Sequence, residues 1–132
     1  MTPTHELLTS AYAAFNVRDI DAVLSTTHPD VDWATNAEGD RILGHDQVRK
    51  YWMRQWSAFD FDVTPLMFTG SERGKTMVVD VHQVVRDMCG KVILEQMLQQ
   101  VFSIRDGLIE RIDVRKSAAP VSPAKHSCEL RV

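Results

Sequence analysis

Apolar residues recur every three or four positions through the first sixty residues and every second position after that, so the pattern changes period once, near Asp60. From Pro3 to Val17, Leu7, Leu8, Ala11, Tyr12, Ala14 and Phe15 fall at helical spacing, and Thr2 or Thr4 is available to cap the start. "NVRDIDAVLSTTHP" then supplies a turn, an Asp19 N-cap and a short helix through Ile20, Val23 and Leu24. Pro29 stops it, because a residue before proline avoids helical geometry. "VDWAT" alternates like a short strand, "NAEGD" is turn chemistry, and "RIL" returns as the partner of a small hairpin. A third helix begins after Gly44, with Val48, Tyr51, Trp52 and Trp56 on its apolar face and Arg49, Lys50 and Arg54 left for solvent.

Beyond Asp60, four β-rich runs are separated by "SERG", "MCG" and "DG", which predicts an antiparallel meander. Helices first and sheet second is an α+β order, since no βαβ alternation is present. The segment 119–132 has the Pro/Ser/Ala composition of a loose end, so one domain over 1–118 and a flexible tail are expected.

The 132 residues suit a single core, and 44% hydrophobic with 25% charged residues is ordinary for a globular protein. The formal charge of −3 is spread over interleaved acids and bases, so the basic face that nucleic acid requires is missing. No apolar run approaches the roughly 18 residues of a spanning helix and the N-terminus lacks a secretory pattern, so no membrane partner and a cytoplasmic location are expected. Cys89 and Cys128 show no CxxC or Cys/His spacing and are expected reduced and inert, with no role assigned to either. The five histidines are equally scattered, so no metal and no cofactor are expected.

Strand parity sorts the candidate chemistry, because alternate side chains point to opposite faces. In "ILEQMLQQVFSI", Leu94, Gln96, Leu98, Gln100, Phe102 and Ile104 share the more apolar face, which should pack onto the helices. Gln96 and Gln100 are then amides in an apolar wall, where each needs a ligand, a water or another hydrogen-bond partner. The opposite face, with Met97 and Val101, suits a subunit interface. In the preceding run Met77, Val79, Val81, Gln83 and Val85 form the core set. His82 points outward with Asp80 unless a bulge turns it into a pocket as a ligand contact. In the last strand Ile112 and Val114 oppose Ile109, Arg111, Asp113 and Arg115. Enclosed by apolar walls, Asp113 would have a raised pKa and could exchange protons; solvated beside Arg111 or Arg115, it would be part of a wet face. His45–Asp46 reads as a helix start rather than a dyad, since no nucleophile lies in local reach and first-turn acids suit the helix dipole.

The order of "YAAFNVRDIDAVLSTTHPDVDWA", "GHDQVRKYW" and "VFSIRDGLIERIDV" resembles the SnoaL-like branch of the NTF2-like superfamily, from about residue 5 to 116. The resemblance implies an NTF2-like cone, with three N-terminal helices packed in a strongly curved antiparallel β-sheet and a pocket opening inside. It also implies a homodimer through the outer sheet face, and an isomerase, cyclase or dehydratase activity or small-molecule binding alone; a dimeric interaction module using the outer sheet is the further alternative. Polyketide cyclases of this branch carry an acid/base aspartate in the last strand, which Asp113 matches, and a histidine on the strand before, where this chain has Gln99 and Gln100. Ketosteroid isomerases place a tyrosine on helix 1, a base aspartate on the first strand and a donor acid on the long strand; Tyr12, Thr35 and Gln100 stand near those positions. The expected site therefore has Asp113 as acid/base, Gln100 or Tyr12 as oxygen donor, and Phe15, Trp33, Trp52, Trp56 and Phe102 as packing surface. Its expected ligand is a small, partly apolar organic molecule.

Overall fold

A computed structural model of the chain describes residues 3–70 and 75–116. Three helices come first, α1 (Pro3–Asn16), α2 (Ile20–Leu24) and α3 (Gly44–Ala58), with β1 (Thr27–Ala34) and β2 (Arg41–Leu43) between the last two. The strands β3 (Asp60–Gly70), β4 (Thr76–Arg86), β5 (Val92–Arg105) and β6 (Leu108–Lys116) complete one sheet in the order β2-β1-β6-β5-β4-β3. The period change near Asp60 thus marks the start of β3, and the expected tail lies outside the described residues.

Each predicted helix forms for the reason its pattern suggests. Pro3 opens α1, where its missing N–H costs nothing, and Leu8, Tyr12 and Phe15 turn one stripe inward. The Asp19 carboxylate accepts from the Ala22 N–H at 3.2 Å and caps α2. α2 ends at Leu24, before Pro29 can act, because Thr26 and Thr27 turn their hydroxyls back onto the carbonyls of Val23 and Leu24. At the start of α3 it is the Gln47 side chain, rather than Asp46, that accepts a backbone N–H, from Leu43 at 2.7 Å. His45 ties this helix start to β1 through the Thr27 hydroxyl at 2.9 Å.

The meander β3 to β6 is antiparallel throughout, and β6 meets β1 in a single parallel joint. Asp106 and Gly107 both have positive φ, the geometry of the tight turn between β5 and β6. A register shift between Ser103 and Ile104 inserts an extra residue into β6. Ile109 is therefore turned into the core, opposite to the face that simple alternation assigns it.

Val63 on β3 and Trp33 on β1 line the same interior cavity although four strand spacings separate them in the sheet. Flat, that separation is about 19 Å at roughly 4.8 Å per strand, so the sheet must curl around α1. Asn16 fixes the helix inside the curl: its side-chain amide donates to the Val63 carbonyl at 2.8 Å and its carbonyl accepts the Val63 N–H at 2.9 Å. One side chain thereby completes two hydrogen bonds of an edge strand and sets the position of Tyr12 one helical turn away.

Candidate functional site

The curl of the sheet leaves a cavity of about 60 Å³ between α1, α3 and the inner strand faces. That exceeds the roughly 10–15 Å³ needed for one ordered water. Phe15, Trp33, Trp52 and Phe102 supply its aromatic wall. Phe15 meets Trp52 edge to face at 4.7 Å, Trp33 lies 6.1 Å from Trp52, and Tyr12 meets Phe102 edge to face at 6.0 Å. These offsets are the favourable ones for aromatic quadrupoles and hold the wall rigid.

Trp56, one turn on from Trp52, packs behind the wall against Phe15 at 5.3 Å and is not part of the lining. Helical spacing places both tryptophans on one face, and of the two it is Trp52 that reaches the cavity. Among the described residues, the indole N–H groups of Trp52 and Trp56 have no hydrogen-bond partner. Trp52 instead sits among rings held perpendicular to it, Phe15, Tyr51 and Phe61.

Among the described residues three polar side chains reach the lining: Tyr12, Gln83 and Gln100. The Tyr12 hydroxyl donates to Gln100 Oε1, and burial pushes the phenol pKa far above its ordinary value of 10.0, so the group stays protonated. Gln96, on the same inner face, donates through Nε2 to Gln83 Oε1 at 2.7 Å and stands behind Gln83 rather than in the lining. Sequence parity places Gln83 with the core set. The signal that singles out Gln96 and Gln100, an amide on an otherwise apolar face, applies to it equally.

His82 and Asp113 stand apart from this site. His82 follows the uninterrupted parity of β4 to the outer face, where Nε2 lies 2.7 Å from Glu95 Oε2. Asp113 pairs in register with Val101, also on the outer face, and is held by Arg111 at 3.0 Å and Arg41 at 2.9 Å. The two arginines also bind Asp32, closing a four-charge ring over the β1–β6 joint. Arg41 adds a bond to the Ile112 carbonyl at 2.9 Å. Partial burial pushes the Asp113 pKa up, but the hydrogen bonds and charges of Arg111 and Arg41 outweigh it, and the net shift is downward. Of the two settings expected for Asp113, its outer-face position and its ion pairs are those of the wet face.

Among the described residues no group of histidine, cysteine or acidic side chains could hold a metal ion, and no helix is long and apolar enough to cross a membrane. Cys89 is an exposed free thiol on the β4–β5 turn, while Cys128 lies outside the described residues.

The sequence profile of the SnoaL-like domain matches residues 8–112. No curated protein matches the chain in sequence. Solved structures share its fold closely. TerC, co-crystallised with polyporic acid, is 24% identical with a TM-score of 0.76, covering 88% of this chain and 92% of its own. A putative polyketide cyclase from Xanthomonas campestris pv. campestris is 23% identical with a TM-score of 0.75, covering 87% and 90%. An LEH-like epoxide hydrolase from M. tuberculosis is 16% identical with a TM-score of 0.75, covering 87% and 83%. At these identities the likeness is one of fold.

Proposed function

The chain belongs to the SnoaL-like domain family, and from that premise we propose that its interior cavity binds a small, partly apolar organic molecule. The observation that carries this reading is the composition of the described lining: an aromatic and aliphatic wall interrupted by three neutral hydrogen-bonding groups. A neighbour of the same fold crystallised with polyporic acid supports a small-molecule occupant. Tyr12 is the ionisable group of that lining, and its raised pKa keeps it a donor. Chemistry in this cavity therefore rests on polarising a ligand oxygen through Tyr12 and Gln100 rather than on Asp113 as a base.

Titrating the protein with acetophenone while recording ¹H–¹⁵N spectra tests the reading. Shifts should cluster at Tyr12, Phe15, Gln100 and the Trp52 indole, and should vanish in a cavity-filling Ala11→Phe variant. Shifts gathered on the outer face, around His82 and Asp113, or a response that survives Ala11→Phe would refute it.

The same proposal takes the outer sheet face as a homodimer surface, supported by Met67, Met97 and Val101, which put apolar side chains among the polar ones of that face. Sedimentation velocity at rising concentration checks it, and a monomer at every concentration would remove it. Cysteine usage supports the cytoplasm as the compartment.

A further inference from the structure

Resting on the cavity as a ligand site, we infer that it is built for an uncharged ligand with an oxygen acceptor at each end of an apolar body. Gln83 pairs in register with Gln96, and Gln100 with Val79, so Gln83 and Gln100 stand four residues apart along the β4–β5 ladder. At roughly 3.3 Å per residue this is about 13 Å between their backbone positions. The Val81–Leu98 pair fills the inner face between them, so the amides lie at two ends of an apolar strip.

Both amides are held in the same sense. Gln100 Oε1 already accepts from Tyr12, and Gln83 Oε1 accepts from Gln96. Neither Nε2 has a partner among the described residues, and both residues line the cavity. Each oxygen has one partner while each Nε2 has none, so the donors that the wall offers an occupant at both ends are amide N–H groups, and such donors select acceptors. Tyr12 and Gln96 are then positioning residues, each holding its amide in place through one hydrogen bond. No Lys, Arg or His belongs to the described lining, so a carboxylate would be desolvated there without a counter-charge.

Four probes separate the elements of this inference on the full chain: 1,4-diacetylbenzene, acetophenone, 1,4-diethylbenzene and 4-acetylbenzoate, with tryptophan fluorescence giving each Kd. One neutral hydrogen bond is worth about a fivefold step, so the diketone should bind about five times tighter than acetophenone, and acetophenone about five times tighter than the hydrocarbon. The benzoate should bind more weakly than acetophenone. Gln83→Met should erase the step between diketone and monoketone, Gln96→Leu should shrink it, and the outer-face control His82→Ala should leave all four affinities in place. Should Gln83→Met fail to fold by circular dichroism, the order of the four probes on the natural chain decides alone. Equal affinities for diketone, monoketone and hydrocarbon would overturn the two-ended inference while leaving the cavity a ligand site. Tight benzoate binding would overturn the requirement for an uncharged ligand, and failure of every probe would overturn the ligand site itself.

Discussion

Replacing Tyr12 by Phe removes one hydroxyl and should produce a stability change that depends on pH in a calculable way. Near neutral pH the variant loses a hydrogen bond between neutral groups, worth about 1 kcal/mol. The orphaned Gln100 oxygen borders a cavity of about 60 Å³, where water can replace the lost donor, so the larger penalty for a dry unpaired acceptor does not apply. At high pH the natural chain carries a cost that the variant lacks. The folded phenol has a pKa raised well above the unfolded value of 10.0, so its contribution is fully present below that value and fades as pH rises through the interval between them. Between the two values the unfolded chain binds fewer protons, and stability falls by about 1.4 kcal/mol per pH unit. By about pH 11 the loss attributable to Tyr12 is about 1.4 kcal/mol, enough to cancel the initial advantage of the hydroxyl. Tyr51, whose pKa is also raised, is present in both proteins and drops out of the difference. Urea unfolding of both proteins, monitored by fluorescence at several pH values from neutral to alkaline, measures it. The variant should start less stable and draw level; a difference that stays constant or widens with pH would refute the buried, protonated phenol.

Asp113→Asn should cost roughly 1 kcal/mol at neutral pH, because the ring with Arg41 and Arg111 is partly exposed. Since the folded pKa of Asp113 lies below its ordinary 3.8, that advantage is present above 3.8 and lost as pH falls through the folded value, so acid titration of stability should bring the two proteins together. Asn16→Ala strips two hydrogen bonds from the edge strand, should cost about 2 kcal/mol, and should speed hydrogen exchange of the Val63 amide ahead of its neighbours. Gly44 has φ +81° and would carry a Cβ 3.4 Å from the Pro29 carbonyl, so Gly44→Ala should lower stability by about 1–2 kcal/mol in thermal unfolding.

Periodicity alone sufficed for the helices, the meander and the inner face of β5, because burial on one side imposes a repeat that composition displays directly. It failed where geometry breaks the repeat. The bulge in β6 turns Ile109 inward with no marker in "LIERIDV". Asp113 is a candidate through the family resemblance, and its sequence neighbour Arg111 already points to a wet face; the second partner, Arg41, sits 72 residues earlier on β2 and joins it only through the β1–β6 joint. Tyr12 and Gln100 could be named separately, but the bond that couples them spans 88 residues and depends on the curl of the sheet. Gln83 carries the same signal as Gln96 and Gln100, an amide on an apolar face, and only the register that sets it opposite Gln96 pairs the two.

All three tryptophans of the chain belong to one cluster, with Trp52 lying 6.1 Å from Trp33 and 5.9 Å from Trp56. At such separations the transition dipoles of the indoles couple, and excitation on any one of them migrates among the three before emission. The folded protein should therefore behave optically as a single chromophore, with an exciton couplet in its circular dichroism in place of three independent bands. Because two members of that chromophore, Trp33 and Trp52, form part of the cavity wall, whatever enters the cavity perturbs the shared excited state, and the protein carries its own readout of occupancy.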